Sequence, residues 1–183
     1  MRTGFVKTAF IAVMLLLGLS AAKAQQPYRQ LTIEDFEGYP QHNSSTIAYT
    51  HCWIDLKYDV HARKGYYQLA FYVTVEVDKD KSWIDRSRIT SPEMLARILK
   101  HEQGHYTIAY FEQQELLREF SRTRFGDNYE AAVKDIFNRI HAKYLQLTTD
   151  YDEDTNHSQN WVQQVSWDKY FHKRLEYMPP VRS

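Results

Sequence analysis

The sequence predicts an α+β fold in which an antiparallel β-hairpin packs against one long helix that two further helices follow. Two patterns support this prediction. Apolar and polar residues alternate over much of residues 46–77, as they do in strands with one buried face. From residue 91 onward, apolar residues instead recur at intervals of three and four, the spacing of amphipathic helices.

Residues 1–24 have the features of a secretory signal peptide. A basic start is followed by an apolar core over residues 9–19 and by an A-x-A cleavage signal that ends at Ala24. We therefore expect cleavage before Gln25 and a mature protein in the periplasm or outside the cell. Because the apolar core is too short to span a bilayer, no stable membrane anchor is expected after cleavage.

Residues 25–183 show no repeat, linker or break in composition, which predicts a single domain. They hold 20 basic and 23 acidic residues, and this weakly acidic balance gives no reason to expect nucleic acid as a partner. Cys52 is the only cysteine, so no intrachain disulfide can form. We expect it to be a buried, small apolar side chain. The oligomeric state is open.

Residues 31–36 predict a short strand or extended arm that ends in a turn. The alternation over residues 46–60 changes phase near Thr50, which predicts a bulge or turn there. Residues 66–77 predict the next strand, rich in β-branched and aromatic side chains. The short connection between these two strands contains Gly65 and favours a hairpin.

The long helix is predicted from Ser91 to about Phe120, with Thr90 or Ser91 as its N-cap. A second helix is predicted over residues 129–147 and a third over residues 158–177. The acidic residues 150–157 between them are predicted to form a loop.

Residues 101–105 read His-Glu-Gln-Gly-His, the H-E-x-x-H pattern of many zinc peptidases. Helical geometry places His101 and His105 about 40° apart on one face, where both imidazoles can bind one metal ion. Glu102 projects beside them and can take a proton from a metal-bound water. Gly104, inside the helix, predicts a closely packed neighbour. Two solvated histidines on a surface helix would give the same pattern, so the motif alone is a hypothesis.

A catalytic zinc ion keeps three protein ligands and one open position. Glu112 lies on the same helix face but about 10 Å further along the axis, too far to be the third ligand. The remaining candidates are His157, Asp152 and Glu130. His157 is favoured, because a histidine between a loop and a helix start can be held rigidly by both.

Three segments resemble the DUF922 family, bacterial secreted proteins that are grouped with zinc-dependent metallopeptidases. They are LTIEDFEG at residues 31–38, HEQGHYTIA at residues 101–109 and YDEDTNH at residues 151–157. The family pattern continues with glycine where this chain has Ser158, and we expect this serine to cap the third helix. The resemblance implies a small zincin-like domain and a peptidase with Zn²⁺ as cofactor.

These observations predict a secreted or periplasmic zinc metallopeptidase that hydrolyses peptide bonds of a peptide or protein substrate, with His101, His105 and His157 as metal ligands. Glu102 is the expected general base, and Tyr151 is the expected donor to the oxyanion. One alternative is a non-catalytic zinc-binding structural or adaptor protein of the cell envelope. Another is a metal-free protein that binds peptides or glycans through its many aromatic residues.

Overall fold

The structure is a computed structural model that describes residues 26–41 and 44–178, so the predicted signal peptide lies outside the described residues. Its elements are a 3-10 helix (Ile33–Asp35), β1 (Ala48–Tyr49), β2 (Cys52–Arg63), β3 (Tyr66–Val77), β4 (Trp83–Ile84), a second 3-10 helix (Arg86–Arg88), α1 (Pro92–Arg122), α2 (Tyr129–Thr155) and α3 (Trp161–Glu176). The predicted α+β class is confirmed. None of the helices in this part of the chain has the length and apolarity that crossing a bilayer requires.

The predicted hairpin is formed by β2 and β3, which pair antiparallel from Cys52 opposite Val77 to Arg63 opposite Tyr66. The turn between them contains Gly65 at φ 79°, a conformation that glycine adopts without the steric cost of a Cβ atom. The buried residues of β3 pack against α1 in two apolar clusters. Their members on these two elements are Val73, Val75, Ile98, Tyr106, Ile108, Phe111, Leu116 and Phe120.

The change of phase near Thr50 marks a change of sheet. Before it, β1 pairs with β4, with Ala48 opposite Ile84 and Tyr49 opposite Trp83. After it, the chain enters the β2–β3 hairpin. Thr50 therefore lies between two sheets, in a segment that faces α1.

The predicted strand or extended arm over residues 31–36 is wrong, because Ile33–Asp35 form a 3-10 helix. Asp35 stabilises the turn by accepting a hydrogen bond from the backbone N–H of Thr32 at 2.9 Å. Its carboxylate also accepts two hydrogen bonds from the guanidinium of Arg29, at 2.9 and 3.1 Å. Alternating polarity cannot reveal such side-chain contacts, which favour a turn over a strand.

Gln103 attaches the N-terminal segment to α1. Its Nε2 donates to the hydroxyl of Tyr28 at 2.9 Å and to the carbonyl of Arg29 at 3.1 Å. Its Oε1 accepts from the backbone N–H of Leu31 at 2.6 Å. One side chain within the H-E-x-x-H motif thus holds the N-terminal segment on the helix.

The helix α1 begins where the sequence predicts, with the side chain of Ser91 accepting from the N–H of Met94 at 3.2 Å. The predicted end of the second helix is wrong. Instead of giving way to a loop at residue 147, α2 continues through the acidic residues to Thr155. Tyr151 and Thr155, one turn apart on α2, are fully buried, and this packing keeps the polar segment helical.

Residues 156–158 leave α2 with three consecutive positive φ angles, 47° at Asn156, 48° at His157 and 74° at Ser158. The expected helix cap at Ser158 is wrong. The N-cap of α3 is Asn160, whose side chain accepts from the N–H of Gln163 at 3.3 Å. Ser158 therefore occupies a backbone position that favours glycine.

We expect Ser158→Gly to raise the free energy of unfolding by about 0.5–1 kcal/mol, because relief of the left-handed strain exceeds the entropy that glycine adds to the unfolded chain. Urea denaturation of the mature protein measures this difference. Ser166→Gly, in the middle of α3, is the control and should lower stability by about 0.5 kcal/mol. Equal losses in both variants would contradict the assignment of strain to Ser158.

Candidate metal centre

Three side chains from two helices converge on one point. His101 and His105 come from consecutive turns of α1, and Asp152 comes from the last part of α2. The Oδ1 atom of Asp152 lies 3.2 Å from the Nε2 atoms of both His101 and His105. One ligand atom from each residue lies within 4.8 Å of the other two, so the three could hold a single metal ion.

The donor atoms fit a zinc ion. Bonds of about 2.0–2.2 Å in a tetrahedron place neighbouring ligand atoms about 3.4 Å apart, close to the spacing between Asp152 and each imidazole. Asp152 Oδ1 is also buried and has no hydrogen-bond partner within the described residues, although two ring nitrogens lie beside it. A metal ion would satisfy this oxygen.

Asp152 carries its charge at neutral pH. Burial acts to raise the pKa of its carboxyl, but the adjacent imidazoles of His101 and His105 hold the pKa well below its usual range. Burial acts to lower the pKa of His105, but the hydrogen bond to Asp152 and the charges of Glu102 and Asp152 outweigh burial and raise this pKa. An aspartate oxygen beside the ring nitrogens of two histidines is a typical zinc ligand set.

The orientation of His101 is fixed from behind by Gln164 of α3. The Nδ1 of His101 donates to Oε1 of Gln164 at 3.2 Å, which leaves Nε2 facing Asp152. The Nε2 of Gln164 in turn donates to the hydroxyl of Tyr151 at 2.9 Å and to Oδ1 of Asp168 at 3.0 Å. A buried amide thus selects the ring nitrogen that points to the metal centre.

The close neighbour that Gly104 predicts is the ring of Tyr151. A Cβ atom at Gly104 would lie 2.6 Å from Cε1 of that ring, so no larger residue fits. The ring also stacks on His101, with centroids 4.7 Å apart and planes at 15°.

Tyr151 lies behind the metal centre and does not line the cavity in front of it. Its hydroxyl is fully buried and donates to the carbonyl oxygen of His101 at 3.0 Å. Burial also raises the pKa of this hydroxyl far above its usual range. In this position Tyr151 supports His101 from behind. The predicted role, donation of a hydrogen bond to an oxyanion in the cavity, fits this position less well.

Glu102 lies beside the two histidines with 3% of its surface exposed. Its Oε2 accepts a hydrogen bond of 2.6 Å from the hydroxyl of Thr50. Its Oε1 has no partner among the residues that the structure describes, and the side chain lines the cavity. The motif predicts this glutamate, whereas no sequence pattern identifies Thr50 as its partner.

The candidates for the third ligand lie at different distances from the histidine pair. Asp152 contacts both rings. His157 lies at the rim, with Nδ1 3.5 Å from Oδ1 of Asp152 and 46% of its side chain exposed. Glu130 lies in the first turn of α2, about 33 Å from Asp152 along the helix, and is too far away to be a ligand. That His157 is a ligand stays a prediction.

A cavity of about 400 Å³ opens in front of the centre, bounded by α1, α2 and residues 46–52. Arg88 holds the beginning of this third wall, as Nη1 donates to the carbonyls of Ser44 at 3.1 Å and Thr46 at 2.8 Å. Cys52 lies at the end of the same wall. Burial raises the pKa of the Cys52 thiol to about 12, so the thiol is protonated at neutral pH and unreactive.

One comparison with known proteins gives a match that covers the site. A family model described as "Bacterial protein of unknown function (DUF922)" matches residues 20–158, which include the whole metal centre. No curated protein and no solved structure matches the chain.

We expect Gln164→Leu to weaken zinc affinity by about 10–100-fold, because His101 loses the hydrogen bond that orients its ring. Competition with a chromophoric zinc chelator measures the dissociation constant. Gln163→Leu changes the adjacent exposed glutamine of α3 and should leave zinc affinity unchanged. If both variants bind zinc as tightly as the wild type, Gln164 does not orient His101.

Proposed function

This chain belongs to the DUF922 family, whose description assigns no function, and from the geometry of its metal centre we propose that it is a zinc-dependent metallopeptidase. One arrangement carries the proposal. Two histidines and an aspartate converge on one point beside a buried glutamate, and all four side chains line an open cavity. The predicted signal peptide places this activity in the periplasm or outside the cell.

In this proposal His101, His105 and Asp152 hold the metal, with Asp152 as the third ligand in place of the His157 that the sequence favours. The aspartate contacts both imidazoles, whereas His157 contacts only the aspartate. A zinc ion bound there would polarise the scissile carbonyl and lower the pKa of the attacking water.

Glu102 is the general base. Its Oε2 is held by Thr50, so the side chain keeps a fixed orientation with Oε1 available to accept the proton of the attacking water. The same carboxyl can then deliver this proton to the leaving amine.

One observation favours a second function, a structural zinc site without catalysis. Structural zinc ions have four protein ligands, and the His157 imidazole is close enough to Asp152 to be considered as a fourth. In that case zinc would fasten the end of α2 to α1, and the protein would serve as an adaptor or assembly factor of the cell envelope.

The ligand set is tested by metal content. We expect one zinc per mature chain, lost in His101→Ala, His105→Ala and Asp152→Ala and retained in His157→Ala, as measured by elemental mass spectrometry. His172→Ala, on the exposed face of α3, is the control. Loss of zinc in His157→Ala with retention in Asp152→Ala would return the third ligand to His157, and loss in both would favour the four-ligand structural site.

The role of Glu102 is tested by hydrolysis. Glu102→Gln should bind zinc normally but cleave fluorescent casein and a pool of quenched peptides at least about a hundredfold more slowly, because the amide cannot accept the proton. Glu119→Gln, on the solvent side of α1, should match the wild type. An undiminished rate in the zinc-bound Glu102→Gln protein would rule out this mechanism.

A further inference from the structure

We infer that Glu112, at the far end of the cavity from the metal centre, binds a cationic group of the peptide substrate. The group is an ammonium or a guanidinium, from a lysine or arginine side chain or from the peptide's own N-terminus. The inference rests on the proposed function, which it deepens by naming a class of substrate.

The cavity is a groove between two antiparallel helices. His105 lies near Asp152 at one end of it, and Glu112 lies against His141 at the other. Two sets of helical side chains line it: His101, Glu102, His105, Ile108, Ala109 and Glu112 on α1, and His141, Tyr144, Leu145, Thr148 and Asp152 on α2. A bound chain lying along the groove would therefore pass over apolar residues between two polar ends.

Apart from its histidines, the only charged side chains in the described lining of the cavity are negative. Glu102, Glu112 and Asp152 contribute carboxylates, and neither lysine nor arginine occurs among the described residues that line the cavity. Two of these carboxylates are assigned to the metal centre, Asp152 as a ligand and Glu102 as the base. Glu112 is the one that the proposed reaction does not use.

Glu112 is 6% exposed. Other glutamates of α1 form ion pairs with residues of α2 at the protein surface. The Oε1 of Glu112 accepts from Nδ1 of His141 at 2.9 Å, and Oε2 has no partner among the described residues. Glu119, by contrast, pairs with Arg139 in solvent. A buried carboxylate with one free oxygen in a groove gains most from a cation that donates directly to that oxygen.

The distance between His105 and Glu112 along α1 determines where on the peptide the cation must lie. Glu112 is two helical turns after His105, about 10 Å along the axis. An extended peptide advances about 3.3 Å per residue, so this distance corresponds to about three residues. A long basic side chain reaches the same point from a residue nearer the scissile bond. We therefore expect the positive charge two or three residues from that bond.

The test separates binding from cleavage. A phage-displayed random octapeptide library is panned against the zinc-bound Glu102→Gln protein, which retains the groove but does not turn over. We expect enrichment of lysine or arginine in the selected peptides. The same selection against Glu102→Gln/Glu112→Gln should lose this enrichment, and Glu102→Gln/Glu119→Gln is the matched control that should keep it.

The strongest selected peptide is then synthesised with its basic residue intact, replaced by alanine, or intact with an acetylated N-terminus. Fluorescence anisotropy should show binding to Glu102→Gln at least about tenfold weaker for one of the two altered forms, and this loss should be absent in Glu102→Gln/Glu112→Gln. The alanine form identifies a side-chain cation, and the acetylated form identifies an N-terminal one.

Selected peptides without basic residues, or binding that Glu112→Gln leaves unchanged, would overturn the inference. Cleavage by the wild type without any preference for charge would overturn it too and leave the peptidase proposal standing. If the wild type cleaves nothing while the Glu102→Gln protein still selects cations through Glu112, the peptidase proposal fails and the binding site stands.

Discussion

The metal centre depends on the contact between the ring of Tyr151 and the backbone at Gly104. Because glycine has no Cβ atom, α2 can approach α1 closely enough for the ring to fill the space above the helix. The next residue along α2 is Asp152, and this approach brings its carboxylate to both imidazoles. The same ring stacks on His101 and bonds to the amide that orients it. One contact therefore positions both the carboxylate of Asp152 and the imidazole of His101.

The two intervening positions of the H-E-x-x-H motif have separate structural roles. Gln103 holds the N-terminal segment through three hydrogen bonds, and Gly104 receives α2. These consecutive residues lie about 100° apart around the helix axis and attach two sides of α1 to parts of the chain that are distant in sequence. The position of the histidine pair in the fold is thus determined by the residues between the histidines as well as by the apolar face of the helix.

Sequence patterns correctly predicted the features of the fold that depend on residues close together in the chain. The hairpin, the start of α1 and the facing of His101 and His105 follow from alternation, capping and helical spacing. Asp152 was one of three open candidates, and its acidic surroundings predicted a loop, because polar composition hides a helix that tertiary burial stabilises. Gln164 and Thr50 were not predicted. Their roles arise from contacts across the fold, and a single glutamine or threonine gives no periodic signal.

The construction of the cavity determines how its width can vary. Two of its walls are long helices joined by buried side chains, and such packed elements move little relative to each other. The third wall, residues 46–52, is short and non-helical, and Arg88 ties its start to the turn before α1 through backbone carbonyls. The guanidinium of one surface arginine thus fixes where this wall begins. Loss of this guanidinium would remove the hydrogen bonds at the start of the wall while leaving His101, His105 and Asp152 in place. The width of the cavity can therefore change independently of the three converging side chains.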